Sequence, residues 1–335
     1  MRPQATPLSL ATVCLLAAIV ATTAAAQEVD LGGARHKITI ASNVRVRSGP
    51  ETTAQEVTRL KFGTVVTATA RTAEQVELAG KRDYWYQVAL DAGESGWVFG
   101  GFLSDYDAAR GAEVARQLIA ERLKAETMTF NEGVDLYDYV TARLAEAKDA
   151  EAKGELELQR LRALDRAAGS LAPDERERPP YREFLKAHER ELFFHELAGS
   201  IAVRAELFWE LERRHHGTPA GERIAWAAAE QILPGECESD EVCQFLRLNE
   251  TYGRYLGLYP TGPHAAEVLK NFEEALASEQ VRELLTGKGG DKYVVEQRAD
   301  LRKALAELRA RLAKTAGPEK AAVLKRLDSL APAGR

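Results

Sequence analysis

The stretch Val44-Arg45-Val46-Arg47-Ser48-Gly49-Pro50 alternates apolar and charged side chains and then ends in turn-forming residues. Such period-two alternation predicts a β-strand with one buried and one exposed face. Related apolar runs occur in Trp85-Tyr86-Gln87-Val88 and in Gly96-Trp97-Val98. Across residues 37–106 these runs are separated by turns rich in Gly, Pro and Asp. We therefore predict five or six short strands in a small, closed β unit.

The quoted runs belong to a longer series that keeps a fixed order along the chain. The series is Val44-Arg45-Val46-Arg47-Ser48-Gly49-Pro50, then Val57-x-x-Leu60-Lys61-x-Gly63-Thr64-x-Val66, then Trp85-Tyr86-x-Val88, and finally Gly96-Trp97-Val98 with Phe102-Leu103. It resembles a bacterial SH3-like (SH3b) domain over residues 36–106. The resemblance implies a small β-barrel that binds ligands, a module found in envelope proteins that contact cell-wall peptides or other proteins. Residues 71–82 depart from the pattern, because this connection is longer and more charged than a tight turn requires.

The aromatic side chains of this unit have two interpretations. Small sheets depend on aromatic burial, so Trp85, Trp97, Phe62 and Phe102 are predicted to supply much of the core. Tyr84 and Phe99 are the better candidates for a ligand groove. Eight basic and eight acidic residues lie between positions 36 and 105. This balance gives the unit no overall charge that would steer it to a polyanion.

The first 26 residues have the order of a secretory signal peptide. Arg2 is the only charge, an apolar stretch follows over residues 8–21, and Ala24-Ala25-Ala26 precedes Gln27. This order predicts cleavage near Ala26 and a periplasmic or extracellular protein. The apolar stretch is shorter than the roughly 20 residues that a membrane-spanning helix needs. We therefore expect no stable membrane span in the mature chain.

The formal net charge of the whole chain is −6. Removal of the signal, which carries one basic and no acidic residue, makes the mature chain more acidic still. Nucleic-acid binding depends on clustered Lys and Arg that neutralise phosphates, so the charge argues against a nucleic-acid partner.

Residues 107–335 are rich in Ala, Leu, Glu and Arg, and their apolar residues recur at helical spacing. We predict an all-α domain of helical hairpins with short connections. Its most apolar segment, residues 181–211, is predicted to be helical and to form the buried centre. The run Tyr252-Gly253-x-Tyr255-Leu256-x-x-Tyr259-Pro260 resembles the turn between helices in tetratricopeptide-like envelope proteins, over residues 252–266. No 34-residue period recurs, so a repeat array is not predicted.

Cys237 and Cys243 remain after signal removal, and an oxidising compartment favours a disulfide between them. Six helical steps would separate their Cα atoms by about 9 Å, too far for a bridge. Cys237 must therefore lie in a loop after Pro234-Gly235, and Ser239 or Asp240 can cap the helix that carries Cys243. Two free thiols are the alternative interpretation.

The sequence contains few candidates for catalysis or metal binding. His188, Glu191 and His195 are spaced to share one face of a helix, where they are able to ligate zinc. Packing of these histidines among their apolar neighbours is the favoured interpretation. The run lacks the second histidine of a His-Glu-x-x-His motif, and Gly287-Lys288-Gly289-Gly290 lacks the spacing of a phosphate-binding loop. No metal, cofactor or catalytic residue is predicted.

Two classes of function remain open. The first is an exported, non-enzymatic envelope protein whose SH3b module recognises a peptide, a cell-wall element or another protein while the helical domain acts as a scaffold. The second is a cell-wall hydrolase with an unrecognised site in the helical domain, for which paired carboxylates remain a possible catalytic set. A cleft with convergent titratable groups in the helical domain would favour the hydrolase, and an apolar groove would favour the scaffold. We favour the non-enzymatic protein.

Overall fold

A computed structural model describes residues 27–90 and 93–330 of the chain. The predicted signal, with its cleavage position near Ala26, lies outside these residues. An N-terminal β region, residues 28–105, is followed by a mainly helical region, residues 108–330. This arrangement confirms the predicted β plus α organisation.

Within the described residues the β region has nine strands. They are β1 (Glu28–Thr39), β2 (Val44–Arg47), β3 (Glu56–Leu60), β4 (Val65–Thr72), β5 (Val76–Leu78), β6 (Lys81–Asp83), β7 (Trp85–Ala89), β8 (Ser95–Phe99) and β9 (Leu103–Asp105). Seven of them form one antiparallel sheet in the order β3-β2-β8-β7-β4-β1-β9. The remaining two, β5 and β6, pair with each other.

The sequence pattern of β2 explains its orientation. Val44 and Val46 are buried, whereas Arg45 is exposed and Arg47 is partly exposed. Successive side chains of a strand point to opposite faces, so the two valines enter the core and the two arginines face outward. The alternation predicted from the sequence is confirmed.

The long connection at residues 71–82 spans the end of β4 and most of the β5–β6 hairpin. Its turn is formed by Ala79 and Gly80, with φ values of +53° and +72°. Positive φ at both central residues is typical of the two-residue turns that match the twist of a hairpin. The extra residues therefore build a separate ribbon instead of an irregular loop.

The mainly helical region contains twelve α-helices among the described residues. They are α1 (Gly111–Leu123), α2 (Phe130–Glu146), α3 (Ala150–Gly169), α4 (Tyr181–Ala187), α5 (Ala205–His215), α6 (Pro219–Ala229), α7 (Glu241–Glu250), α8 (Tyr252–Leu258), α9 (Ala265–Ala275), α10 (Glu279–Thr286), α11 (Lys292–Leu312) and α12 (Pro318–Leu330). Their main core contains fully buried side chains from helices α5 to α11, among them Phe208, Ile224, Phe245, Tyr255, Phe272 and Leu301. No helix within the described ranges is both long enough and apolar enough to cross a membrane.

The prediction of an all-α domain is wrong at residues 188–204. Helix α4 ends at Ala187, and an antiparallel hairpin follows, made of β10 (Leu192–His195) and β11 (Ser200–Val203). The run Leu192-Phe193-Phe194 and the β-branched Ile201 and Val203 favour strands. Gly199 adopts a φ of +59° between the strands, and the Val203 backbone N–H donates to Asp165 Oδ1 of α3 at 2.8 Å.

The predicted loop and helix start around the cysteines are confirmed. Cys237 lies in the loop before α7, and a disulfide joins it to Cys243, with a Cα–Cα distance of 5.4 Å. Asp240 caps α7, because its side chain accepts a hydrogen bond from the Cys243 backbone N–H at 2.9 Å. The two free thiols are therefore not seen.

The β region and the helical region share a hydrophobic cluster. Phe62, in the turn between β3 and β4, is buried against Ile119, Met128 and Leu136 of the helical region. Lys61 Nζ also lies 3.1 Å from Asp138 Oδ2. The sequence predicts Phe62 in the core of the β unit; its side chain is buried, but in the cluster that joins that unit to the helices.

Candidate functional site

A pocket of about 380 Å³ opens on the β region. Its walls come from the loop before β2, from β2 itself, from the β5–β6 hairpin and from the end of β8. We call it the aromatic pocket, because Trp85, Phe99 and Phe102 line it. Its size is within the range of pockets that bind small molecules or one or two peptide side chains.

The three aromatic rings pack against one another. The ring centroids of Trp85 and Phe99 are 5.8 Å apart, and those of Phe99 and Phe102 are 5.7 Å apart, both in edge-on geometry. Trp85 and Phe99 are almost fully buried, whereas Phe102 is partly exposed. Edge-on aromatic pairs are stabilising beyond the area they bury, so these rings form a firm apolar floor.

The β5–β6 hairpin contributes Leu78 and Ala79 to the pocket wall. Leu78 packs against the aromatic cluster. Lys81 Nζ donates to the Gly101 carbonyl oxygen at 2.6 Å and lies 5.5 Å from the centre of the Phe102 ring. The departure from the family pattern at residues 71–82 therefore forms part of the pocket.

Two arginines stand at the rim of the pocket, Arg45 and Arg47, both on the outward face of β2. Arg47 Nη1 donates to the Ala54 carbonyl oxygen at 2.8 Å. Arg45 Nε lies 3.3 Å from Glu56 Oε2. The hydrogen bond from Arg59 is the main cause that lowers the pKa of Glu56, so this carboxylate stays ionised beside Arg45.

The loop before β2 completes the wall with Ala41, Ser42 and Asn43. Asn43 has a φ of +55°, a conformation that asparagine tolerates better than most residues. The Ser42 hydroxyl oxygen is buried and has no hydrogen-bond partner among the described residues. Unsatisfied buried hydroxyls are uncommon in folded proteins.

The two groove residues predicted from the sequence lie in different surroundings. Phe99 lines the aromatic pocket but is only 2% exposed. Tyr84 is not among the lining residues; the Arg71 guanidinium lies 3.8 Å from its ring centre, and the Tyr86 ring packs edge-on against it at 6.4 Å. A ligand role for either residue stays a prediction. Sequence reasoning missed Arg45 and Arg47, although the alternation of β2 already placed both on its outward face.

The three predicted zinc-ligand candidates do not share a helix face. His188 follows the end of α4, and its Nδ1 lies 2.6 Å from Glu191 Oε2. His195 lies in β10, is buried, and accepts a hydrogen bond from the Ala198 backbone N–H at 3.0 Å. No set of three or more His, Cys, Asp or Glu side chains in the described part of the chain is arranged to hold a metal ion. The three residues have helical spacing in the sequence but do not share a helix face, because residues 192–203 form a β-hairpin.

A second cleft, of about 500 Å³, lies on the helical region. Its lining includes Glu157 and Glu191, the kind of titratable pair that a hydrolase site requires. Glu157 Oε2 lies 2.6 Å from His215 Nε2, and Glu191 is bonded to His188 as described above. Arg214 and Arg160 also approach these two carboxylates, at 3.3 Å and 3.5 Å. Internal charge pairing accounts for the cluster without a substrate.

The comparison with curated proteins found no match, and neither did the comparison with solved structures. The comparison with protein families gave one match, to the family described as Bacterial SH3 domain, over residues 42–104. These residues include every side chain named above for the aromatic pocket except Ala41. The match does not reach residues 252–266, so the tetratricopeptide-like resemblance is not confirmed. The β region of this chain thus contains a bacterial SH3 domain, and all the residues that line the aromatic pocket except Ala41 lie within it.

Proposed function

We propose that the chain is an exported, non-enzymatic binding and scaffold protein of the cell envelope, and that its SH3 domain binds a peptide or a cell-wall element in the aromatic pocket. One observation carries this proposal. The pocket combines an apolar floor of packed aromatic rings with two rim arginines, which is the usual composition of a ligand site. Domains of this family bind cell-wall or peptide ligands, which supports the same class of ligand.

The junction between the two regions supports a scaffold role for the helices. Phe62 and the Lys61–Asp138 ion pair hold the SH3 domain against α2. A ligand bound in the pocket would therefore be held in a defined orientation to the helical region. The disulfide between Cys237 and Cys243 supports export, since disulfides persist in oxidising compartments.

The experiment is co-sedimentation of the mature chain, residues 27–335, with purified peptidoglycan. Thr52 is exposed and lines the pocket, whereas the neighbouring Thr53 is exposed and does not. The variant Thr52→Trp should fill the pocket and raise the Kd about tenfold in a co-sedimentation titration, while Thr53→Trp, the matched control, should bind like the wild type. A tenfold loss of affinity corresponds to about 1.4 kcal/mol of binding free energy.

Two results would contradict this proposal. If Thr52→Trp leaves peptidoglycan binding unchanged, the ligand does not bind in the aromatic pocket. Release of soluble fragments from peptidoglycan by the mature chain, abolished in Glu157→Gln, would favour the hydrolase instead. Export is tested by cell fractionation of the full chain, in which the proposal expects a shortened product that begins near Gln27 in the envelope or medium.

A further inference from the structure

The aromatic pocket carries a local positive charge that the whole domain lacks. Arg45 and Arg47 are the only charged side chains among the described residues that line it, and no carboxylate faces them from the lining. The surrounding segment, residues 36–105, has equal numbers of basic and acidic residues. The positive charge at the rim thus arises because the pleat of β2 points both arginines outward. It does not arise from an excess of basic residues in the domain.

Both arginines are held in place and still have donors to spare. A guanidinium has five N–H donors. Within the described residues, Arg47 makes one hydrogen bond, to the Ala54 carbonyl oxygen, and Arg45 makes one ionic contact, with Glu56. Glu56 is further occupied by two hydrogen bonds from Arg59, at 2.7 Å and 3.2 Å. It therefore neutralises Arg45 only in part.

The free N–H donors of Arg45 and Arg47 lie beside the apolar floor of the pocket, and this combination indicates which class of ligand fits there. We propose that the pocket selects a short acidic peptide, with its carboxylate on Arg45 and Arg47 and a neighbouring aliphatic side chain on Phe102 and Leu78. This inference rests on the proposed function, because it names the ligand class of the same pocket. The planar fork of arginine matches the two oxygens of a carboxylate, which gives such a contact both strength and direction.

The neutral analogue of such a peptide should bind poorly. Replacing Glu by Gln in the ligand keeps its size and its amide groups but removes the charge. The Gln amide has one acceptor oxygen and no charge, so it loses the two-oxygen ionic contact with the arginines and should bind roughly tenfold more weakly. The preference should also weaken at high salt, because the rim arginines are accessible to solvent.

The test is calorimetric titration of the mature chain with two probes, acetyl-Leu-Glu-amide and acetyl-Leu-Gln-amide, and with inorganic phosphate as a third. We expect the Glu peptide to bind about tenfold more tightly than the Gln peptide and more tightly than phosphate. Arg47→Gln should reduce the preference to about twofold or less, and Arg45→Gln provides an independent second variant. Arg82→Gln is the matched control, because it removes the same charge from an exposed side chain outside the pocket.

Each unfavourable result has a distinct meaning. Equal binding of the two peptides, or binding of neither, overturns carboxylate selection. Phosphate binding that exceeds Glu-peptide binding also overturns it and assigns the rim to phosphate. In all three cases, peptidoglycan binding that remains sensitive to Thr52→Trp leaves the proposed function intact. Loss of the preference in Arg82→Gln to the same extent as in Arg47→Gln would show a general charge effect and overturn the proposal as well.

Discussion

The ring of Phe62 meets the ring of Tyr139 edge-on, with centroids 5.2 Å apart, across the junction of the SH3 domain and helix α2. The next residue along the chain, Gly63, has a φ of +75° and approaches the same tyrosine. The two regions are thus joined by aromatic packing at a turn that requires glycine. A linker alone would leave them free to rotate, whereas a shared core fixes their orientation.

Gly63→Ala should destabilise the protein through this contact. A Cβ at position 63 would lie 2.2 Å from Tyr139 Cε2, so the ring or the turn must shift. The left-handed backbone costs a non-glycine residue about 1–2 kcal/mol, and overpacking adds about 1–3 kcal/mol. The measurement is the free energy of unfolding in urea.

Gly80→Ala separates these two costs. Gly80 has a similar φ of +72°, but a Cβ there would meet nothing within 4 Å. Only the backbone cost of about 1–2 kcal/mol should therefore appear. Equal losses in the two variants would mean that contact with Tyr139 does not matter.

The Cys237–Cys243 disulfide should stabilise the loop that precedes α7. Closing so short a loop removes chain entropy from the unfolded state and contributes about 2 kcal/mol. Adding a reductant should lower the urea midpoint of the mature chain accordingly. The double variant Cys237→Ser/Cys243→Ser should start from the lower midpoint and show no response to reductant. An unchanged midpoint in both experiments would refute the expected stabilisation.

Alkaline pH should destabilise the helical region through Tyr259. Its hydroxyl donates to Glu212 Oε1 at 2.9 Å, and Glu212 is only 1% exposed. Burial, together with this hydrogen bond, raises the pKa of Tyr259 above its ordinary value of 10.0. Above about pH 10 the unfolded chain loses this proton more readily than the folded chain, so stability falls as pH rises through the folded pKa.

The check is the free energy of unfolding measured from pH 8 to pH 11 in the wild type and in Tyr259→Phe. The variant should be less stable at pH 8, by about 1.5–3 kcal/mol, because a buried carboxylate loses a hydrogen bond. Its alkaline slope should be smaller than that of the wild type. Tyr293→Phe, at a position that is 66% exposed, is the matched control and should keep the wild-type slope. A Tyr259→Phe slope equal to the control would contradict the assignment.

The parts of the fold that local pattern dictates were predictable from the sequence. The alternation in β2 and the glycine-containing turns identified the β unit, and chain geometry alone required Cys237 to lie in a loop. The segment at residues 188–204 was not predictable in the same way. Its apolar residues fit a helical period by coincidence, whereas the hairpin buries Leu192 and Val203 in a core formed with helices that are distant in sequence.

The pocket illustrates a second limit of sequence reasoning. The resemblance to a bacterial SH3-like domain implies a binding module, but a sequence does not reveal which aromatic rings face a cavity. The sequence predicts Phe102 in the core and Tyr84 in the groove. The structure brings Phe102 into the pocket lining because a short turn, Gly100–Phe102, follows β8, while Arg71 covers Tyr84.

Substitution of these two aromatic residues separates the sequence-based groove from the structural pocket. Phe102→Ala should weaken peptidoglycan binding about tenfold, because the ligand loses part of the apolar floor. Tyr84→Ala should change binding by less than about twofold, since its ring contacts Arg71 and Tyr86 outside the pocket. Binding is measured by co-sedimentation at matched concentrations of folded protein, with folding verified by circular dichroism. The reverse order of effects would contradict a ligand site in the aromatic pocket and favour a groove around Tyr84 instead.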